Sequence, residues 1–222
     1  MTAHFVNLLD QVLRRSLRMA SLVEDMLEEA CEALFQADDA LARRVVHRDE
    51  EVDAEEVAVE AEVFRLLALY QPVGADLRLL CTVLKVNNDL ERIADCAVNI
   101  AERAKHLDAP AVAVGGGPIR QIWLATQDML RTAIQVYGSA DTGDARAVLT
   151  SDQTVDALYQ QYIKSLVANA PNSPNGAATL LDLLSVAKNL ERIADHATNI
   201  AEDVIFLRTG QIVRHRGELP ID

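Results

Sequence analysis

Apolar residues recur every three to four positions over most of this chain, the period that turns one face of a helix toward a core. In the first half the pattern predicts helices over about His4–Phe35, Asp38–Tyr70 and Pro72–Leu107. Asp38 suits a helix N-cap, and Pro72 suits a first turn, where a missing N–H does no harm. In the second half a helix over Pro118–Tyr137 ends at Gly138-Ser139, and Asp141 or Asp144 can restart the chain. Ser173-Pro174 opens a last helix, which Gly210 closes as a C-terminal cap. No stretch alternates apolar with polar as a half-buried strand would. Between the halves, Pro110–Pro118 (PAVAVGGGP) has the small-residue, glycine-rich composition of a flexible linker. The expected fold class is all-α, with one three-helix bundle over 1–109, a linker at 110–117 and a second bundle over 118–222.

The two bundles are copies. Leu90–Glu102 reads LERIADCAVNIAE and Leu190–Glu202 reads LERIADHATNIAE, differing only at Cys96/His196 and Val98/Thr198. Upstream the match continues at an offset of 103: Asp25-Met26-Leu27 with Asp128-Met129-Leu130, and Asp49, Val52, Asp53, Ala54 with Asp152, Val155, Asp156, Ala157. Such a change in offset between segments is what a shortened loop produces, and internal repetition of this kind fixes the architecture before any single motif does.

On a helix Leu90, Ile93, Ala94, Ala97, Ile100 and Ala101 share one face, the expected buried stripe. Glu91, Asp95, Asn99 and Glu102 share another, as do Glu191, Asp195, Asn199 and Glu202. The second helix adds Asp49, Asp53, Glu56 and Glu60 at similar spacing, and its counterpart keeps Asp152 and Asp156. Carboxylates at i and i+4 repel by a few tenths of a kcal/mol unless a cation lies between them. A multivalent metal would turn that repulsion into coordination, and hard oxygen donors suit magnesium, manganese, calcium or iron. Without clustered Cys and His a tetrahedral zinc site is disfavoured. The plainer alternative is a solvated acidic face neutralised by Arg92 and Arg192.

Composition narrows the function classes. The chain has 222 residues, half of them apolar but only 4% aromatic, with 9 Gly and 6 Pro, which favours packed helices over loops or a β-sandwich. A net charge of −13 argues against nucleic-acid binding. Cys31, Cys81 and Cys96 form no CxxC pair and read as reduced thiols. There is no signal sequence and no run of about 18 apolar residues to span a membrane, so the chain reads as cytoplasmic.

Gln71–Leu79 (QPVGADLRL), LERIADCAVNIAE, and the run LERIADHATNIAEDVIFLRTGQIVRH from Leu190 to His215 resemble the PhoU family of phosphate-uptake regulators. The resemblance covers nearly the whole chain, in order, with both repeats. It implies tandem three-helix bundles with pseudo-twofold symmetry, several members of which carry multinuclear metal clusters on a repeated E/DxxxD motif. By resemblance Glu91 and Asp95 carry that motif in the first copy, and Glu191 and Asp195 in the second. Asp49, Asp53, Asp152 and Asp156 match the acidic positions of the facing helix, and helical spacing adds Asn99 and Asn199 as oxygen donors. The implied cofactor is a divalent or multivalent metal: iron, manganese, magnesium or zinc. Cys96 departs from the family's common His, present here as His196, which implies that the two clusters differ in occupancy or metal preference.

The implied role is a negative regulator of phosphate uptake and phosphate-starvation signalling. Its implied partners are the ATPase of a phosphate ABC transporter and a membrane sensor kinase, met at the inner face of the membrane. Long helices with small apolar residues suit a homodimer without forcing one. Two other readings stand beside it: a metal-free interaction scaffold, and a carboxylate-bridged di-iron enzyme. The enzyme reading lacks the Glu-x-x-His pairs that such sites use, and no HExxH, P-loop or GxSxG is present. A non-enzymatic function is therefore expected.

Overall fold

The computed structural model describes residues 3–107, 109–168 and 174–213. Its helices run in chain order α1 (Ala3–Gln36), α2 (Asp39–Tyr70), α3 (Ala75–Ala104), α4 (Ala109–Ser139), α5 (Thr142–Ala168) and α6 (Pro174–Thr209). Helices α1, α2 and α3 pack on one another, as do α4, α5 and α6, and the two bundles join through α3 on α6 and α1 on α4. No helix among the described residues is long and apolar enough to cross a membrane.

Local chemistry sets most of the boundaries. The Asp38 carboxylate accepts from the backbone N–H of Ala40 at 2.9 Å and of Leu41 at 3.0 Å, satisfying two donors that the helix start leaves open. Asp38→Ala is expected to lower stability by about 1 kcal/mol, read as a shift of the urea midpoint at constant m-value; no shift would deny the cap any energetic role. Asp141 caps α5 in the same way, at 2.7 Å from the Gly143 N–H. Gly210, with φ of 75°, ends α6 in the left-handed region that only glycine enters freely.

Two expectations are corrected. Pro110–Gly117 is not a linker: α4 begins at Ala109 and runs through it, with Pro118 inside the helix. Pro110 falls in the first turn, where proline is tolerated. Glycine's low helix propensity is a weak prior that packing overrides, and Gly116 and Ile119 are already buried in the second bundle. The third helix starts at Ala75 rather than Pro72, because Gln71 closes α2 in the left-handed region and Gly74 holds a φ of 61°. The QPVGADLR segment thus supplies the tight α2–α3 turn at residues 71–74 and the first turn of α3. Its counterpart at the α5–α6 junction begins with Asn172 and Ser173, which lie outside the described residues.

The predicted stripe of α3 is buried throughout, as are its equivalents Leu190, Ile193, Ala194, Ala197, Ile200 and Ala201 on α6. These two helices touch three neighbours each, so more than one face is covered, and Cys96 is buried as well. Trp123 is buried in the core and stacks on Phe35 of α1 at 5.5 Å between ring centroids. It joins the bundles together with a buried hydrogen bond from the Tyr137 hydroxyl to Ser16 at 3.0 Å.

Candidate metal centre

The acidic residues of each copy lie on neighbouring helices, α2 with α3 and α5 with α6. In the first copy the Asp49 carboxyl is raised above its ordinary range by burial, then by the charges of Asp53 and Asp95. Burial also raises Glu91, with Asp95, Glu56 and Asp53 adding to it and Arg92 opposing. Glu56 is raised by burial, then by Glu60 and Asp53. Carboxylates of α2 and α3 therefore feel one another across the helix pair.

The second copy repeats the pattern. Asp152 is raised by burial and then by Asp156, with the Thr198 hydroxyl offsetting part of the effect and Glu191 adding to it. Asp195 is exposed at the surface, yet it too is raised, by partial burial and then by Glu191 and Asp152. Each glutamate has found a cation within its own helix. Arg92 lies 3.2 Å from Glu91 and 3.3 Å from Asp95, whereas Glu191 pairs with Lys188 and not with Arg192. No three His, Cys, Asp or Glu groups converge to hold an ion among the described residues. The chemistry present is that of crowded oxygen donors, several with raised pKa values, which a hard multivalent cation would relieve, with one protein cation beside the glutamate in each copy.

These shifts give stability a definite pH dependence. A carboxylate with a raised folded-state pKa holds its proton at a pH where the unfolded chain has released it. The folded state then binds more protons, and stability increases as pH falls from neutral into the carboxylate range. Chain stripped of metal should melt higher at about pH 5.5 than at about pH 7.5, and Glu191→Gln with Asp195→Asn should shrink the difference. Glu55 and Glu62, held low by Arg15 and Arg65, push the opposite way in both proteins. An identical pH profile in the variant would show that the second cluster carries no repulsion.

Asn199 and His196 turn to α3 rather than to the acidic face of their own copy. The Asn99 amide donates to the backbone oxygen of Asp95 at 2.8 Å, within its own helix. Asn199 donates to Asp89 on α3 at 3.1 Å, and His196 Nδ1 lies 2.8 Å from the same oxygen. Because α6 lies between α5 and α3, a side chain at the edge of the acidic face can serve either neighbour, and Asn199 serves α3. Positions 96 and 196 face the seam between bundles. Cys96 there is a neutral thiol, pushed up to about 11 chiefly by burial.

Sequence reasoning missed the seam itself. Lys85 pairs with Asp203 at 2.9 Å, Arg103 with Asp182 at 3.5 Å, and Arg78 donates to the Leu207 carbonyl at 3.2 Å, so α3 and α6 run antiparallel. Asp89 and Asp203 are among the few buried carboxylates. A signal was present: the repeats differ in charge at Asp89/Asn189 and Arg103/Asp203, and the carboxylates Asp89 and Asp203 are the ones buried at the seam.

A family model for the PhoU domain matches residues 16–104 and again 119–204. The chain belongs to the PhoU family. A phosphate-specific transport system accessory protein PhoU homolog from Pseudomonas putida is 36% identical over 94% of this chain and 82% of its own length. A homologue of the same name from Caulobacter vibrioides is 36% identical over 87% of this chain and 85% of its own. The crystal structure of PhoU from Pseudomonas aeruginosa matches with a TM-score of 0.87 at 34% identity, covering 93% of this chain and 100% of that one. The phosphate transport system regulatory protein PhoU from Streptococcus pneumoniae gives 0.85 at 26% identity, covering 94% and 99%. Tandem PhoU repeats account for the pseudo-twofold pairing of α1–α3 with α4–α6.

Proposed function

We propose that this PhoU-family chain is a metal-binding regulatory adaptor that represses phosphate uptake and phosphate-starvation signalling. The observation that carries this reading is the duplicated carboxylate set, on paired helices and with raised pKa values in both copies. Glu91, Asp95, Asp49 and Asp53 would hold metal in the first bundle, and Glu191, Asp195, Asp152 and Asp156 in the second. Asn99 is a further donor through its remaining oxygen. Oxygen donors favour iron, manganese or magnesium over zinc. When bound, the ion supplies the positive charge that the crowded carboxylates lack. The chain's own part is electrostatic: Arg92 and Lys188 neutralise Glu91 and Glu191 in the metal-free state and must yield their carboxylates for metal to enter.

The relatives are named as accessory proteins of phosphate-specific transport systems, which supports a transporter of that kind as the target. By family resemblance its ATPase and a membrane sensor kinase are the partners, met by a cytoplasmic homodimer at the inner face of the membrane. No residue is assigned a catalytic role.

Deletion of the gene should leave high-affinity phosphate uptake active in phosphate-rich medium, with repression restored by the wild-type chain. Intact repression after deletion, in a strain without a second PhoU protein, sinks the regulatory reading. A chain that restores repression yet binds no metal on titration supports the scaffold reading instead.

A further inference from the structure

A groove of about 500 Å³ opens over the α3–α6 seam, outside the two carboxylate clusters. Arg92 and Arg192, the same residue of the two repeats, both line it, so it lies where the pseudo-twofold axis passes between the antiparallel helices. Lys85 adds a third cation and Asn88 an exposed amide. The one carboxylate in the lining, Asp89, is 5% exposed, and its Oδ1 is already engaged by His196 and Asn199. Arg92 is already paired with Glu91 and Asp95, and Lys85 with Asp203, each with N–H donors to spare, so the uncompensated charge over the groove is that of Arg192. Arg192 is the telling member, because it makes no ion pair or hydrogen bond among the described residues. An arginine left unpaired on so acidic a protein, opposite its own symmetry mate, offers a planar fork to an oxyanion.

We propose that this groove binds a small phosphate-type oxyanion, clamped between the Arg92 and Arg192 guanidiniums, with Lys85 and Asn88 completing the contacts. The volume exceeds that of a single phosphate ion, so a hydrated phosphate or a phosphate ester fits equally. The choice of phosphate as probe rests on the phosphate-regulatory reading, whereas the oxyanion chemistry stands on the arginine pair alone.

The test is calorimetric titration of the full chain in EDTA, which removes any metal that could itself hold phosphate. Separate arms use inorganic phosphate, a nucleoside diphosphate and sulfate. We expect one saturable site for a phosphate-bearing ligand. Arg192→Gln should weaken it about tenfold or more, the scale of losing one charge-assisted contact pair, and Arg92→Gln should act in the same direction. Arg43→Gln, at an exposed arginine of α2 outside the groove, should change it little. Arg192 is exposed and unpaired, so its variant should fold normally, as circular dichroism would verify. Tighter binding of the nucleotide than of inorganic phosphate identifies an ester as the ligand. Binding of sulfate alone, lost in Arg192→Gln, keeps the oxyanion clamp while removing support from the phosphate reading. No binding in any arm, or binding that neither arginine variant weakens, overturns the proposal.

Discussion

Replacing Glu191 and Asp195 together by Ala is expected to empty the second bundle of metal while leaving the helical content intact. Without metal these residues contribute little. The two carboxylates repel at i, i+4 by a few tenths of a kcal/mol, and the Glu191–Lys188 pair returns a similar amount at a partly exposed site. The metal-free variant should therefore lie within about 0.5 kcal/mol of the metal-free wild type. With metal the comparison changes. An ion that binds only the folded chain adds about 2.7 kcal/mol at a hundredfold excess over its dissociation constant, and the variant loses the share belonging to its second site. Elemental analysis of both proteins, each purified without added metal and then titrated with manganese and iron, reads the stoichiometry directly. Thermal melts with and without the ion read the linkage. Metal content unchanged by the double substitution contradicts the assignment of Glu191 and Asp195, and an equal gain in melting temperature for both proteins does the same.

The helices and the acidic faces could be read from the sequence because both are periodic. One near-identical thirteen-residue segment occurring twice was enough to define α3 and α6, their buried stripes and the adjacent carboxylates. What could not be read was the choice between neighbours. Asn199 sits on the acidic face by helical spacing, yet its amide goes to Asp89 on α3, because periodicity fixes a residue's angle on its own helix and not which helix packs there. The start of α4 was hidden for a different reason. A Gly-Gly-Gly run has the composition of a linker, but Ile119 and Ile122 anchor the helix just downstream, and packing decides against local propensity. Trp123 belongs to the same class, its partner Phe35 lying in the other repeat. The charge-changing differences Arg103/Asp203 and Asp89/Asn189 were the legible trace of the seam. Both differences place a carboxylate that is buried at the seam and paired across it, Asp203 with Lys85 and Asp89 with His196.

That same seam makes α3 the most consequential place to open a cavity. Leu90 is fully buried on the helix that packs against α1, α2 and α6 at once. Leu90→Ala removes its side chain from a site walled by rigid helices on several sides, where neighbours can collapse only partly, so lost burial and residual void both count. The expected loss is about 2–5 kcal/mol, a large fraction of the roughly 5–15 kcal/mol of a typical domain. Leu190→Ala should cost a similar amount, since α6 holds the equivalent position against α3, α4 and α5. If the halves unfold as one unit through the α3–α6 and α1–α4 contacts, either substitution shifts a single urea transition, followed equally by far-ultraviolet circular dichroism and by the fluorescence of Trp123. If they unfold separately, Leu90→Ala splits the transition and the earlier phase belongs to the first bundle. A loss below about 1 kcal/mol would mean that the site relaxes to fill the space, and that α3 is not the rigid centre its burial describes.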